Sequence, residues 1–496
     1  MPRPTLAALL LTTILLSSCS LIPEMPDPNL AVPPAFKEAL ADTATTTSPE
    51  DGRWMCASEG TGFASGQWWQ IFNDPILNGL VEQAGMASPT VQAAAAKLLQ
   101  AQAQLGMARA DYAPQLQAGF GPQRQAPSAA SVGAPEGTPP APRTLYGARG
   151  SLSYEVDLLG RVSDAVTANQ FAAEAAQAGY ENILLMLQAD VATTYFDLRT
   201  VDRELAILNA TLALRSSERD LLERRLEAGY TNELDFQRSE SQLQQTQAEM
   251  LAVERQRLQL DHRLATLLGK TPADFSLAPL THEGELAAPP PPPSVPAGLP
   301  SQLLERRPDI IAAQQQMAEA NARIGVARNA FFPQLNLTAS GGFESTELGD
   351  LFQWSSRTWV LGPLVGTAVS LPIFEGGRNI SRLDFAKAGF DGAVATYRQQ
   401  VLTAFREVED DLASLRLLAD QAEAQQAAMT ASARVAKLST LRYEEGLVSQ
   451  LEVIDSQRSL LSAQRALANV EGQRYATTVH LIRALGGGWE QKAAGE

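Results

Sequence analysis

The 496-residue chain predicts a mainly α-helical fold with short alternating strands, built twice from one design. Three observations carry this. First, AQLGMARADYAPQL at 103–116 recurs as ARIGVARNAFFPQL at 322–335, an offset of 219 residues. LEAGYTNELD at 226–235 likewise answers YEEGLVSQLE at 443–452, and RLATLLG at 263–269 answers HLIRALG at 480–486, both 217 residues on. A period this long exceeds a solenoid unit and marks a duplicated half-protein. Second, apolar residues fall at helical 3/4 spacing over long stretches of both halves. Third, Pro114 and Pro333 each end a helical pattern and open onto apolar/polar alternation, the period of a strand.

Taken from the N-terminus, Arg3 supplies a positive charge, 6–16 is an apolar run too short to span a bilayer, and Leu16-Ser17-Ser18-Cys19 closes it. This resembles a lipoprotein signal over 1–18, whose cleavage leaves Cys19 as a lipidated N-terminus. An ordinary secretory signal with an incidental cysteine is the alternative. Ser20 stands where Asp would hold such a lipoprotein at the inner membrane, which points to the outer membrane. Buried acyl methylenes contribute about 0.8 kcal/mol each to membrane binding. With Cys19 acylated, Cys56 is the remaining thiol, which excludes an internal disulfide and a cysteine metal cluster.

Charge narrows the partners. Asp+Glu number 55 against 39 Lys+Arg, a net charge of −16, which repels nucleic acid. No later stretch approaches the roughly 18 apolar residues of a transmembrane helix. A membrane crossing would therefore have to use strands.

After a tether at 19–87, the first repeat occupies 88–288 and the second 301–488, with a proline-rich, extended linker at 289–300 and a tail at 489–496. Each repeat predicts a helix, a hairpin, a long helix and a further helix. In the first these lie at 88–112, 114–158, 161–226 and 234–268; in the second, at 308–331, 333–374, 378–443 and 449–485. The hairpins alternate at 115–120 and 334–340, and returning strands are expected at 151–157 and 368–373. Between partners lie a Pro/Gly/Ala/Ser-rich loop at 121–143 and a shorter one holding Trp354 and Trp359. Alternation alone fits a pair of periplasmic hairpins as well as a membrane sheet.

The long helices carry stripes such as Val191, Tyr195, Leu198 and Val201, matched by Tyr397, Val401, Phe405 and Val408. At about 66 residues each would run on the order of 100 Å. The two shorter helices of each repeat together approach that length, as if stacked end to end beside it. Alanines such as Ala172, Ala173, Ala175 and Ala176 allow close helix contact, while glutamines and charges such as Gln242 coat the other face.

Four strands cannot close a barrel, and open edges cannot sit in lipid because their N–H and C=O groups would be unpaired. Two chains would supply eight strands, which side chains nearly fill; three would supply twelve and leave a lumen. A conduit favours three.

At this point the motifs match a family. WWQIFNDPILNGL at 68–80, LPSQLLERRPDI at 299–310, FPQL at 332–335 and LPIFEGGR at 371–378 resemble the TolC-type outer-membrane efflux family, lipoprotein branch. The resemblance covers about 28–488. It implies a homotrimer forming a 12-stranded membrane β-barrel on an α-helical barrel, lipid-anchored in the cell outer membrane and extending into the periplasm. It further implies a duct passing small molecules from an inner-membrane resistance-nodulation-division pump through a periplasmic adaptor (membrane fusion) protein. The runner-up is the duct of a type I protein-secretion system, and the neighbouring pump genes would decide.

By the same resemblance, Asp235, Tyr443, Glu452 and Asp455 form the aperture and its gating network. The adaptor docks on the helical tips at Gly229, Tyr230, Thr231, Gly446, Leu447, Val448 and Ser449. Val448 occupies a position where some members carry a gating arginine, so an arginine latch is not expected. The plainer reading of Glu452 and Asp455 is two solvated acids at a helix start, where carboxylates favour the dipole.

Other chemistry is thin. His262, His282 and His480 lack metal-ligand spacing, and there is no phosphate loop or nucleophile elbow, so neither a cofactor nor an enzyme is expected. Glu409-Asp410-Asp411 reads as a solvated helix face. Cys56 reads as packed rather than reactive. A periplasmic adaptor would explain helices and lipidation, but not the hairpins or the matched repeats.

Overall fold

The computed structural model describes residues 20–26, 28, 32–38, 55–56, 66–133, 135, 137, 140–280, 290–295, 300–361 and 369–487. The signal at 1–18, Cys19 and the tail at 489–496 lie outside the described residues, as does the side chain of Cys56. In chain order the strands are β1 Met55–Cys56, β2 Gln115–Gln125, β3 Arg143–Val156, β4 Pro293–Ser294, β5 Gln334–Ser345, β6 Arg357–Leu361 and β7 Val369–Ser370. The helices are α1 Pro75–Ala87, α2 Pro89–Ala110, α3 Arg161–Glu227, α4 Glu233–Leu267, α5 Pro300–Arg306, α6 Pro308–Asn329, α7 Arg378–Glu444 and α8 Gln450–Ala484.

Three helix pairs have equal lengths across the repeats. α2 and α6 have 22 residues, α3 and α7 have 67, and α4 and α8 have 35. Candidate membrane-spanning helices are absent among the described residues. The chain forms two compact units, the first drawing on 1–29, 97–177 and 312–398, and the second on 30–96, 178–311 and 399–496.

The first unit holds an antiparallel sheet in the order β2-β3-β5-β6, with β7 also paired to β5. Register runs from Gln115↔Ser153 to Gln125↔Arg143 between β2 and β3, and from Tyr146↔Ser345 to Val156↔Leu335 between β3 and β5. Because strand side chains alternate with period two, this register sorts residues onto faces. One face collects Leu116, Ala118 and Phe120 of β2, Ala148, Leu152 and Tyr154 of β3, and Leu335, Leu337 and Phe343 of β5, with Trp359 and Val369 beyond. The opposite face collects Gln115, Gln117, Ser151, Ser153, Asn336, Thr338 and Ser340. Arg149 and Glu344 pair across that polar face. Leu116, Phe120 and Trp359 remain 77%, 67% and 72% exposed, so the chain itself does not cover its apolar face.

Three strands outrun the alternation that announced them, while the return expected at 368–373 is a strand only over Val369–Ser370 among the described residues. β2 continues to Gln125, β3 begins at Arg143 rather than near Ser151, and β6 takes Trp359 out of the expected loop. Gly119, Gly121, Gly147 and Gly150 have no side chain to alternate, and Pro122 is tolerated because β2 is an edge strand. A side chain at Gly342 would collide with the Ala148 carbonyl, so glycine permits β5 to close on β3 there.

The second unit has an apolar core. Asp74 caps α1 by accepting from the amides of Ile76 (2.9 Å) and Leu77 (3.1 Å), with Pro75 at the first helical position. Trp68, Leu77 and Val81 then pack on Val191, Tyr195 and Leu198 of α3, Leu264 of α4 and Ile482 of α8. Each fully buried leucine contributes about 1.5–3 kcal/mol. The Tyr195 hydroxyl donates to Asp74 at 2.5 Å, tying the cap to the long helix. Burial pushes that phenol up, and its hydrogen bond to the Asp74 carboxylate pushes the same way.

Several buried charges in this unit are paired, as low dielectric demands, although Nε and one terminal nitrogen of the buried Arg474 find no partner among the described residues. Asp202 accepts from Arg199 (3.1 Å) and Arg257 (2.6 Å), and those guanidiniums also donate to the carbonyls of Ala278 and Leu277. Arg307 donates to Asp309 (2.8 Å) and Glu407 (2.6 Å). The acidic run on α7 is not merely a solvated face. Glu409 accepts the amides of Lys37 (2.7 Å) and Glu38 (2.9 Å), and burial pushes the Asp411 carboxyl up to about 7, against the pull of Arg483. Asp410 alone fits the solvated reading, 67% exposed and paired at 3.7 Å with Arg406. The linker carries β4, whose Pro293–Ser294 pairs in parallel with Met55–Cys56.

Candidate functional site

Both helical hairpins of the second unit turn by one motif. At the first turn the Gly229 amide donates to Leu226 O (3.0 Å) and the Tyr230 amide to Arg225 O (2.8 Å); at the second, Gly446 donates to Tyr443 O (2.9 Å) and Leu447 to Arg442 O (2.8 Å). This is the Schellman closure of a helix end, and it needs a residue in the left-handed region. Gly229 and Gly446 supply it, with φ of 75° and 73°. Tyr230 and Leu447 project outward, 85% and 68% exposed, while Thr231 and Val448 are half-buried.

The two helix starts that follow differ. Asn232 caps α4 through its side chain, accepting the Asp235 amide at 2.9 Å and donating back to the Asp235 carboxylate at 3.0 Å. Arg238 lies 3.5 Å from the same carboxylate. Asp235 is thus engaged at its own helix start, and none of its described contacts joins it to Tyr443, which is half-buried. Ser449 occupies the corresponding position before α8 but makes no side-chain cap.

Glu452 and Asp455 sit one turn apart on α8, with side chains 49% and 59% exposed. Glu452 meets Arg442 of α7 and Asp455 meets Arg458, both at 3.7 Å. Exposed pairs of this length contribute about 0–1 kcal/mol, so the carboxylates are held only weakly.

Stronger ties join the hairpins above the tips. Arg465 of α8 donates to Glu204 of α3 (2.7 Å) and Glu249 of α4 (3.0 Å). Gln450 and Gln457 of α8 both reach Glu218 of α3 at 3.4 Å. Burial pushes the Glu218 carboxyl up, and the two amides offset part of that shift. A cleft of about 310 Å³ opens here, lined in part by Arg215, Gln242, Glu249, Arg458 and Arg465. On the first hairpin, Arg219 bridges to Glu240 at 3.0 Å and lies 5.8 Å from the Phe236 ring centroid.

Sequence reasoning missed Glu218 and Arg465. Each had a signal: Glu218 falls four residues from both Leu214 and Leu222, and Arg465 four from Leu461. A charged residue placed on an apolar stripe must find a partner helix or stay unpaired. Among the described residues, no group of His, Cys, Asp and Glu is arranged to hold a metal ion.

Comparison with known proteins follows the duplication. The family model described as outer membrane efflux protein matches residues 80–270 and 299–487, one stretch in each repeat. The probable efflux pump outer membrane protein TtgC of Pseudomonas putida is 32% identical over 98% of this chain and 96% of its own length. Outer membrane protein OprJ of Pseudomonas aeruginosa is 33% identical over 97% and 95%. The solved structure of the outer-membrane channel OprN superposes with a TM-score of 0.82 at 28% identity, covering 95% of this chain and all of that one.

Proposed function

The chain belongs to the outer membrane efflux protein family, and we propose that three copies of it close one duct, the outer-membrane channel of a tripartite efflux pump. The observation that carries the reading is the five-stranded sheet, four strands across because β6 and β7 share one side of β5, with one largely apolar face and two open edges, β2 on one side and β6 with β7 on the other. In lipid such edges require partners, and twelve strands close the sheet while leaving a lumen for its glutamine, serine and threonine face. Cys19 carries the acyl anchor. The small-molecule cargo enters from an inner-membrane resistance-nodulation-division pump.

A periplasmic adaptor docks on the exposed turns at 229–231 and 446–449. Glu452 and Asp455, free of strong partners, line the aperture, with Asp235 and Tyr443 behind them. Threefold symmetry would gather six carboxylates there, and charges about 4–8 Å apart repel by on the order of 1–4 kcal/mol per pair at intermediate dielectric. The ring would favour cations and bind divalent ions.

The test is single-channel current in planar bilayers. The double variant Glu452→Ala/Asp455→Ala should insert normally but lose cation selectivity and divalent block. Unchanged selectivity would return both acids to plain solvation of a helix start. In cells lacking their own channel, restored dye export is expected from the wild type together with its pump and adaptor. Failure of export with a correctly assembled channel would overturn the efflux role.

A further inference from the structure

The residues after the acceptor cysteine lie in a slot of the first unit. The Ser20 hydroxyl donates to Asp164 Oδ1 at 2.6 Å, the Leu21 amide bonds to the same carboxylate, and the Ile22 amide donates back to Ser20 Oγ at 3.2 Å. On α6, Asn321 donates to Pro23 O at 2.8 Å and Arg328 to Leu21 O at 3.3 Å. Asn329 holds the other Asp164 oxygen at 3.1 Å. Asp164, Asn321 and Asn329 are 1%, 4% and 3% exposed, so the slot is built of buried polar side chains, two of which, Asp164 and Asn321, bond this short peptide directly. Its floor is glycine. A Cβ on Gly325 would stand 2.7 Å from Ile22 Cγ1, and one on Gly160 would stand 3.0 Å from Ser20 Cα.

The slot is made once, although its framework is made twice. Gly106 is the counterpart of Gly325 in the 219-residue repeat, and a Cβ there would meet nothing within 4 Å. Gln102 and Ala110 stand where Asn321 and Asn329 do, and Ser381 stands where Asp164 does at the 217-residue offset. Of two quasi-equivalent strand–helix junctions, one is specialised.

We propose that this slot is the receptor for the chain's own acyl-bearing N-terminus, a Ser-Leu-Ile-Pro peptide led by a lipidated cysteine. It pins the anchor where β3 passes into α3 and α6 into β5. The proposal rests on lipidation of Cys19.

Full-length protein in detergent, with Leu21→Cys as the reactive thiol in a Cys56→Ser background, reads the slot by its maleimide labelling rate. Loss of a charge-assisted hydrogen bond or of floor space should speed labelling about ten- to a hundredfold. Gly325→Val and, as a milder change, Asp164→Ala are expected to do so, while Gly106→Val leaves the rate unchanged. All three should take up a fatty-acid analogue as the wild type does. Equal labelling in Gly325→Val, Asp164→Ala and the unaltered slot would overturn the proposal, as would equal acceleration by Gly106→Val. Protection of Leu21→Cys without fatty-acid uptake would keep the slot, remove the lipid reading, and so overturn the anchor role.

Discussion

Three helix pairs of the two repeats match residue for residue in length, yet the hairpin ends are held differently. The first turn is locked by the Asn232 cap, by Arg219 reaching Glu240, and by packing near Phe236. The second has an uncapped Ser449 and a half-exposed Arg442–Glu452 pair at 3.7 Å. Duplication reproduced the backbone, including both Schellman glycines, because the helix stripes dictate it. The polar side chains then diverged, giving one hairpin fixed within itself and one held chiefly by its ties to the first, Arg465 to Glu204 and Glu249 and Gln450 to Glu218.

The comparison can be broken at its strongest tie. Removing one partner of a buried pair costs about 3–5 kcal/mol, and Arg465 is 31% exposed, so Arg465→Ala should cost about 2 kcal/mol. Denaturant unfolding measures it, and hydrogen exchange in α8 should accelerate more than in α4. Equal acceleration in both would remove the distinction between the hairpins.

The caps sharpen the same contrast. Asn232→Ala should cost about 1 kcal/mol and free the first turn of α4, whereas Ser449→Ala should cost under about 0.5 kcal/mol. A similar cost at both positions would mean that Ser449 caps α8 in solution.

Protonation gives a third handle. Asp411, raised to about 7, binds its proton more tightly folded than unfolded, where a carboxyl titrates near about 4. Its contribution therefore favours folding fully below about 4 and is lost as pH rises through about 7. Asp411→Asn should stabilise the protein above that range and flatten the intervening pH dependence; a parallel profile would place Asp411 in solvent. The smallest effect is expected from Arg442→Ala, within about 0.5 kcal/mol because the pair is exposed.

Much of this was legible in the chain. The 3/4 stripes marked the long helices, Pro114 and Pro333 marked where helix gives way to strand, and the repeated glycines marked both turns. The outer ends of the strands were hidden because glycine and Pro122 interrupt alternation without interrupting pairing. Glu409 read as solvated because its partners, the amides of Lys37 and Glu38, lie more than 370 residues away. Gly106 and Gly325 look identical in the repeat, and only packing shows that one forms a floor and the other faces open space. Stripes and breakers are local signals, whereas a shared carboxylate or a slot depends on which segments meet.

The central claim is that the sheet of one chain, four strands across, is a third of a closed wall. Mass measurement of the detergent-solubilised, full-length protein tests this most directly: the account predicts a trimer, lost when the β2 edge is blocked by proline at Ala118. A stable monomer or dimer with an intact sheet would contradict it.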